Sequence, residues 1–123
     1  MEREKIKSFT DLVVWQRAHD LVLATYKLTG KFPSGENYAL TNQMRRAAVS
    51  ITSNIAEGFS RQSLKEKIQF YYMALGSTTE LQNQFIIARD LSYVNEEGFN
   101  SILNELITIN KLTNGLIKSL KKD

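Results

Sequence analysis

The most concentrated polar pattern in the sequence lies between positions 43 and 61. Its members are three or four residues apart, so on an α-helix they share one flank: Gln43, Arg46, Ser50, Asn54, Glu57 and Arg61. Such amide, hydroxyl, carboxylate and guanidinium groups can bond to one another along the helix or to a ligand beside it. Because the flank adjoins the apolar stripe of the same helix, we interpret it as a buried or interfacial network that fixes helix and subunit pairing. A binding groove is the alternative.

Basic side chains form a second candidate site. Arg45 lies on the opposite flank of the same helix, and the other candidate nucleic-acid-binding residues are lysines: Lys65, Lys67, Lys118, Lys121 and Lys122. Arg3, Lys5 and Lys7 crowd the N-terminal end. Sixteen Lys and Arg against thirteen Asp and Glu give a net charge of +3, which permits an anionic partner without requiring one. Charged ends that only maintain solubility are the alternative interpretation.

The sequence contains no pattern typical of catalysis or of a metal site. There is no cysteine, and His19 is the one histidine, so the Glu-x-x-His pairs of a ferritin-like di-metal bundle are missing. No partner for a nucleophile–base pair is identifiable, and the glycines are too scattered for a phosphate-binding loop. We interpret His19 and the aromatic residues Trp15, Tyr71 and Tyr72 as core residues. The sequence therefore predicts a protein that is not an enzyme and has no cofactor or metal.

Long amphipathic segments must position these residues. Apolar residues recur at helical spacing in four of them, which we place at about 11–30, 37–59, 63–91 and 96–120, after an N-terminal arm at 1–10. Ser63 with Glu66 is a capping box before the third helix, and Asn95 caps the fourth. Short connections favour antiparallel neighbours, so the predicted fold class is all-α, an antiparallel up-down-up-down four-helix bundle that forms a single domain over 1–123.

The third predicted helix has apolar residues on both sides. Its main stripe consists of Leu64, Ile68, Tyr71, Tyr72, Leu75, Thr79, Gln82 and Ile86. Its opposite side has Phe70, Met73, Leu81, Ile87 and Ala88. A four-helix monomer covers only one side of a helix, so this distribution predicts self-association.

Composition agrees with one soluble helical domain. Hydrophobic residues make up 42% and charged residues 24%, and the chain has one proline and six glycines, so long helices are permitted. The charged N-terminus leads into no signal-like apolar run, and no segment approaches the roughly 20 apolar residues of a membrane span. We expect a cytoplasmic protein that does not contact a membrane.

Several motifs, in order and at fixed spacing, resemble one family. They are Phe9-x-x-Leu12-x-x-Trp15, Phe32-Pro33, Leu40-x-x-Gln43-x-Arg45-Arg46-Ala47-Ala48, Ser50-Ile51-x-x-Asn54-Ile55-Ala56-Glu57-Gly58, Gly76-Ser77-x-x-Glu80-Leu81 and Leu116-Ile117-x-Ser119-Leu120. The chain is similar, over about Phe9 to Leu120, to the four-helix-bundle proteins encoded within intervening sequences of bacterial large-subunit ribosomal RNA genes. With these motifs in view, Ser77 and Glu80 join the polar network of the second helix.

The same broad fold includes the accessory proteins of diversity-generating retroelements. From those relatives the resemblance implies a homopentameric ring with a basic surface that meets RNA, DNA or a nucleic-acid-processing protein. We therefore expect a homo-oligomeric bundle, a pentamer, that binds nucleic acid weakly. A protein-interaction scaffold with no nucleic-acid role is the alternative.

Overall fold

A computed structural model of the protein describes residues 5–122, and the N-terminal residues of the predicted arm, including Arg3, lie outside this part. A short 3-10 helix, Phe9–Asp11, precedes the first of four α-helices: α1 (Val13–Thr29), α2 (Leu40–Ser60), α3 (Leu64–Asp90) and α4 (Glu96–Lys121). Consecutive helices pack side by side, and α1 also contacts α4, which closes a square of helices around one core. Residues 5–122 contain no strand, so the predicted all-α bundle is confirmed. None of the helices in this range is both long and apolar enough to cross a bilayer.

Local hydrogen bonds set the helix ends. Ser8 and Asp11 form a capping box on the short 3-10 helix Phe9–Asp11, and α1 begins after it at Val13. Backbone N–H groups of Lys7 and Ser8 donate to the Asp11 carboxylate and lower the pKa of Asp11. The α2 helix begins at Leu40 rather than 37, since Ser34–Glu36 form a separate 3-10 turn.

The predicted caps of α3 and α4 are present, but within residues 5–122 the Glu66 carboxylate does not accept the reciprocal bond from the Ser63 backbone N–H, so the predicted capping box is only half formed. Ser63 Oγ accepts a hydrogen bond from the Glu66 backbone N–H at 3.0 Å, and Asn95 Oδ1 accepts one from Gly98 at 2.7 Å. These bonds satisfy N–H groups that the first turns of α3 and α4 leave without a helical partner. They fix where each of these helices begins.

The sequence predicts the core stripe of α2 and most of that of α4, but Thr113, which is expected to interrupt the α4 stripe, is fully buried. In α2 the buried residues include Met44, Ala47, Ala48, Ile51, Ile55 and Gly58. In α4 they are Phe99, Ile102, Leu106, Ile109, Thr113 and Ile117. Three of these α2 residues, Ala47, Ala48 and Gly58, are small, so neighbouring helices can approach α2 closely.

Helical spacing predicts a core face of α1 made of Leu12, Trp15, His19, Val22 and Tyr26, and this prediction is wrong by part of a turn. Its buried residues are Val14, Ala18, Leu21, Thr25 and Thr29, and Trp15 and His19 are only half-buried. Tyr26 is 44% exposed. The buried threonines explain the shift, because each hydroxyl donates to a carbonyl one turn earlier and so needs no polar surroundings: Thr25 to Leu21 at 2.8 Å and Thr29 to Thr25 at 2.7 Å.

The α3 helix buries a line of residues that runs between the two predicted faces. This line is Tyr71, Ala74, Thr78, Leu81, Phe85 and Ala88. The interpretation of Tyr72 as a core residue is wrong, since its side chain is 48% exposed. Small residues on the buried line let α2 pack closely, and four large apolar residues remain exposed: Leu64, Tyr72, Met73 and Ile87.

Candidate nucleic-acid interface

Five of the six predicted nucleic-acid-binding residues lie at one end of the bundle. The helix directions bring together residues 5–11, the end of α2 with the start of α3 (57–67) and the end of α4 (118–122), which we call the lysine-rich end. It has eight basic side chains, Lys5, Lys7, Arg61, Lys65, Lys67, Lys118, Lys121 and Lys122, and three carboxylates, Asp11, Glu57 and Glu66. Positive charge is therefore concentrated there well beyond the net charge of the whole chain.

Two of these lysines are fixed by hydrogen bonds. Lys67 Nζ donates to the Phe59 carbonyl at 2.7 Å and to the Gly58 carbonyl at 3.4 Å, so it caps the C-terminal end of α2. Lys121 Nζ donates to the hydroxyl of Tyr72 at 2.9 Å. These bonds hold both ammonium groups in defined positions. Lys65, Lys118 and Lys122 are exposed, and within residues 5–122 their side chains form no such bond.

Arg45 does not join this surface, because it lies near the start of α2, at the opposite end of the bundle. Its side chain is half-buried and faces α1. The guanidinium lies 4.6 Å from the ring centroid of Tyr26 and donates to Thr29 Oγ1 at 2.9 Å and to the Tyr26 carbonyl at 3.4 Å. Arg45 thus links α1 to α2 through a cation–π contact and hydrogen bonds.

The centre of the predicted polar network connects α2 to α3. The hydroxyl oxygens of Ser50 and Ser77 are 2.8 Å apart, and Asn54 Nδ2 donates to the Ser50 carbonyl at 2.9 Å and to its hydroxyl at 3.1 Å. All three side chains are half-buried in the most extensive helix–helix contact of the bundle. The cluster therefore links α2 to α3 through side-chain hydrogen bonds.

The other members of the network are separate from this cluster. Arg61 donates to Glu57 at 3.1 Å in an exposed pair one turn apart, and Gln84 donates to Glu80 at 3.3 Å within α3. Gln43 and Arg46 are exposed, and neither forms a side-chain hydrogen bond with another residue of 5–122. The predicted ladder is therefore one interhelical cluster and two local pairs.

His19 is not a fully buried core residue. Its ring stacks on the Trp15 ring, with centroids 4.8 Å apart. The Phe9 ring packs edge-on against Trp15, with centroids 5.4 Å apart. Within residues 5–122, no three His, Cys, Asp or Glu side chains are close enough together to bind a metal ion. His19 has the surroundings of an aromatic packing residue.

Comparison with known proteins places the chain in a family. The profile of the 23S rRNA-intervening sequence protein family matches residues 10–115. The chain belongs to this family. A solved structure similar to this family member is that of a protein of unknown function from the S23 ribosomal protein family of Bacteroides thetaiotaomicron. It has 25% sequence identity and a TM-score of 0.80, and the match covers 86% of this chain and 96% of that one. No curated protein sequence matches this chain.

The family match and the lysine-rich end overlap only in part. Residues 10–115 of this 23S rRNA-intervening sequence protein include Lys65 and Lys67, together with the Ser50–Ser77 cluster. Lys118, Lys121 and Lys122 lie beyond the matched range. Family membership therefore agrees with the helical fold. The concentration of positive charge at the lysine-rich end follows instead from the directions of the helices in this chain.

Proposed function

We propose that this protein is a non-enzymatic, homo-oligomeric bundle that binds RNA or DNA weakly through the lysine-rich end. The observation that carries the proposal is the ratio of eight basic side chains to three carboxylates at that end. Ammonium groups that neutralise phosphates release counterions, and this release drives binding without regard to base sequence. Lys65, Lys118 and Lys122 are exposed and available for such contacts.

Weak and sequence-tolerant binding follows from the kinds of side chain at this end. Phosphate contacts position a nucleic acid, whereas specificity needs hydrogen bonds to base edges or stacking on bases. The lysine-rich end offers mainly ammonium groups, which bind as point charges. We therefore expect affinity to depend on ionic strength and on strand length more than on sequence.

Self-association supports the same function, because an oligomer presents several lysine-rich ends to one nucleic-acid strand. The α3 helix leaves Met73 and Ile87 about 49% and 40% exposed, and their spacing puts both on its outer side. The resemblance implies a pentameric ring, and cyclic symmetry presents the same end of every copy on one face when the bundles lie along the ring axis. Several lysine-rich ends then bind one strand together, so weak single contacts add to useful avidity.

A titration at two ionic strengths tests the binding proposal. Fluorescence anisotropy of a labelled single-stranded RNA should show binding at low salt that weakens steeply as salt is raised. Absence of binding at low salt, or binding without a salt dependence, contradicts it. Light scattering of the same sample tests the oligomer, and a strict monomer contradicts that part alone.

Another observation favours a protein-interaction scaffold as the second candidate. Tyr38 is 96% exposed and Leu91 is 50% exposed, and both lie in connections at the end opposite the lysines. Exposed aromatic residues are enriched in protein–protein contacts. Capture of the same partner protein before and after nuclease treatment would favour the scaffold, and loss of the partner after nuclease would favour nucleic-acid binding.

A further inference from the structure

An open concavity of about 530 Å³ lies on the outer side of α2, near its N-terminal half. Its lining residues are Tyr26, Asn42, Arg45, Arg46, Val49, Ser50 and Ser53. This size falls within the roughly 300–1,000 Å³ typical of small-molecule sites. The lining contains two guanidinium groups and no carboxylate, and neither arginine forms an ion pair within residues 5–122. The site therefore has an unneutralised positive charge.

One of the two arginines is already ordered. Arg45 uses two of its N–H groups on Thr29 and the Tyr26 carbonyl, and its plane is held against the Tyr26 ring. A guanidinium has five N–H donors, so others remain for a ligand. Because the side chain is held before any ligand arrives, little conformational entropy is lost when it binds.

Polar and apolar groups lie side by side in the rest of the lining. Asn42 and Ser53 are exposed and offer an amide and a hydroxyl. Tyr26 and Val49 are 44% and 39% exposed and offer apolar surface to a planar group. Guanidinium and hydroxyl donors suit the oxygens of a phosphate, and an exposed aromatic ring suits the face of a base.

We propose that this concavity binds a phosphate ester that bears an aromatic ring, the chemistry of a nucleotide. The ligand is either a free mononucleotide or the terminal nucleotide of an RNA strand. The site lies toward the end opposite Lys65 and Lys118, so it is separate from the lysine-rich end and does not depend on the function proposed above. Failure of either proposal leaves the other intact.

Position 49 offers a matched pair of variants. Calorimetric titration of the full chain with adenosine monophosphate should show binding that Val49→Glu weakens about tenfold or more, since the new carboxylate repels the phosphate. Val49→Gln has the same shape without the charge and should change the dissociation constant by less than about threefold. Both residues favour a helix at this exposed position, so both variants should fold. Equal affinities of the two variants would overturn the proposal.

Substitution of Arg46 tests the contact with the phosphate, and two smaller ligands test the contact with the aromatic ring of the ligand. Arg46→Gln should weaken adenosine monophosphate about tenfold, and Lys65→Gln, which removes an equal charge at the far end, should not. Phenyl phosphate should bind more tightly than inorganic phosphate, and equal affinities would overturn the role of the ring. Displacement of adenosine monophosphate by an RNA oligomer with a terminal phosphate, but not by the same oligomer without one, assigns the ligand to an RNA end. Displacement by neither supports a free nucleotide.

Discussion

Gly58 of α2 lies directly against the ring of Tyr71 in α3. A Cβ atom added at position 58 would lie 2.6 Å from Tyr71 Cε1, closer than carbon atoms pack in proteins. Both residues are buried, so the ring has little room to move away. The close approach of α2 and α3 at the lysine-rich end therefore depends on the absence of a side chain at position 58.

Gly58→Ala should lower the free energy of unfolding by about 1–3 kcal/mol, because overpacking outweighs the better helix propensity of alanine. Gly115→Ala is the matched control, since Gly115 is exposed in α4 and has no atom within 4 Å of an added Cβ. The control should be more stable than the parent by about 0.5–1 kcal/mol. Urea denaturation measures both, and equal stabilities of the two variants would refute the steric account.

The Ser50–Ser77 bond should be measurable as an interaction energy. A double-mutant cycle with Ser50→Ala and Ser77→Ala should give a coupling of about 0.5–1.5 kcal/mol, the usual net contribution of one such hydrogen bond. The cycle of Glu57→Ala with Arg61→Ala should give about 0–0.5 kcal/mol, since solvent screens that exposed pair. Similar coupling in both cycles would mean that the half-buried cluster has no special role in aligning α2 with α3.

The sequence predicted the helices and the stripes of α2 and α4 because apolar residues there are grouped on one narrow face. In α3 it favoured Tyr72 over Ala74 and Thr78, since large apolar residues dominate a pattern based on hydrophobicity. The structure buries Ala74 and Thr78 instead, together with Tyr71, whose ring lies against Gly58 of α2. Shape complementarity with the neighbouring helix determines which side of α3 is buried, and the sequence of α3 alone does not give that information.

The location of the candidate site was only partly predictable. The predicted up-down-up-down order already puts the start of α2 and the start of α3 at opposite ends of the bundle. The topology alone therefore predicts that Arg45 and Lys65 lie far apart. The sequence does not reveal the concavity at Arg46, because helical spacing puts Tyr26 on the core face of α1. Its exposure depends on the rotation of α1, which the buried threonines Thr25 and Thr29 set.

Stability at high pH should depend on Tyr93. Its hydroxyl donates to Glu36 at 2.8 Å, and this bond, with the nearby negative charge, raises the pKa of Tyr93 above its ordinary value of 10.0. The folded state thus holds the proton more tightly than the unfolded chain. The stabilisation is complete below about pH 10 and is lost as the pH rises through the higher folded-state pKa.

Tyr93→Phe removes this titration. The difference in unfolding free energy between the parent and Tyr93→Phe should therefore shrink as the pH is raised above about 10, and urea midpoints at successive pH values measure it. Glu36→Gln keeps a hydrogen-bond acceptor without the charge and should also reduce the dependence on pH. A difference between parent and Tyr93→Phe that stays constant across this range would contradict the linkage.

Self-association through α3 should be sensitive to charge on its outer side. Met73→Glu combined with Ile87→Glu buries two carboxylates if this side is covered, so the oligomer should dissociate, as light scattering measures. Val13→Glu combined with Leu23→Glu is the control, because these α1 residues are 58% and 57% exposed. If the two α1 substitutions dissociate the oligomer and the two α3 substitutions do not, the interface does not include the outer side of α3.

Nucleic-acid affinity should depend on which end of the bundle loses its lysines. Lys65→Gln with Lys118→Gln removes two exposed charges from the lysine-rich end, and Lys27→Gln with Lys31→Gln removes two from the opposite end. Each lost phosphate contact should reduce the slope of log affinity against log salt by about 0.7 for single-stranded RNA. Only the first pair should show this reduction in anisotropy titrations. Equal losses for both pairs would show that net charge alone governs binding, and that the lysine-rich end is not the interface.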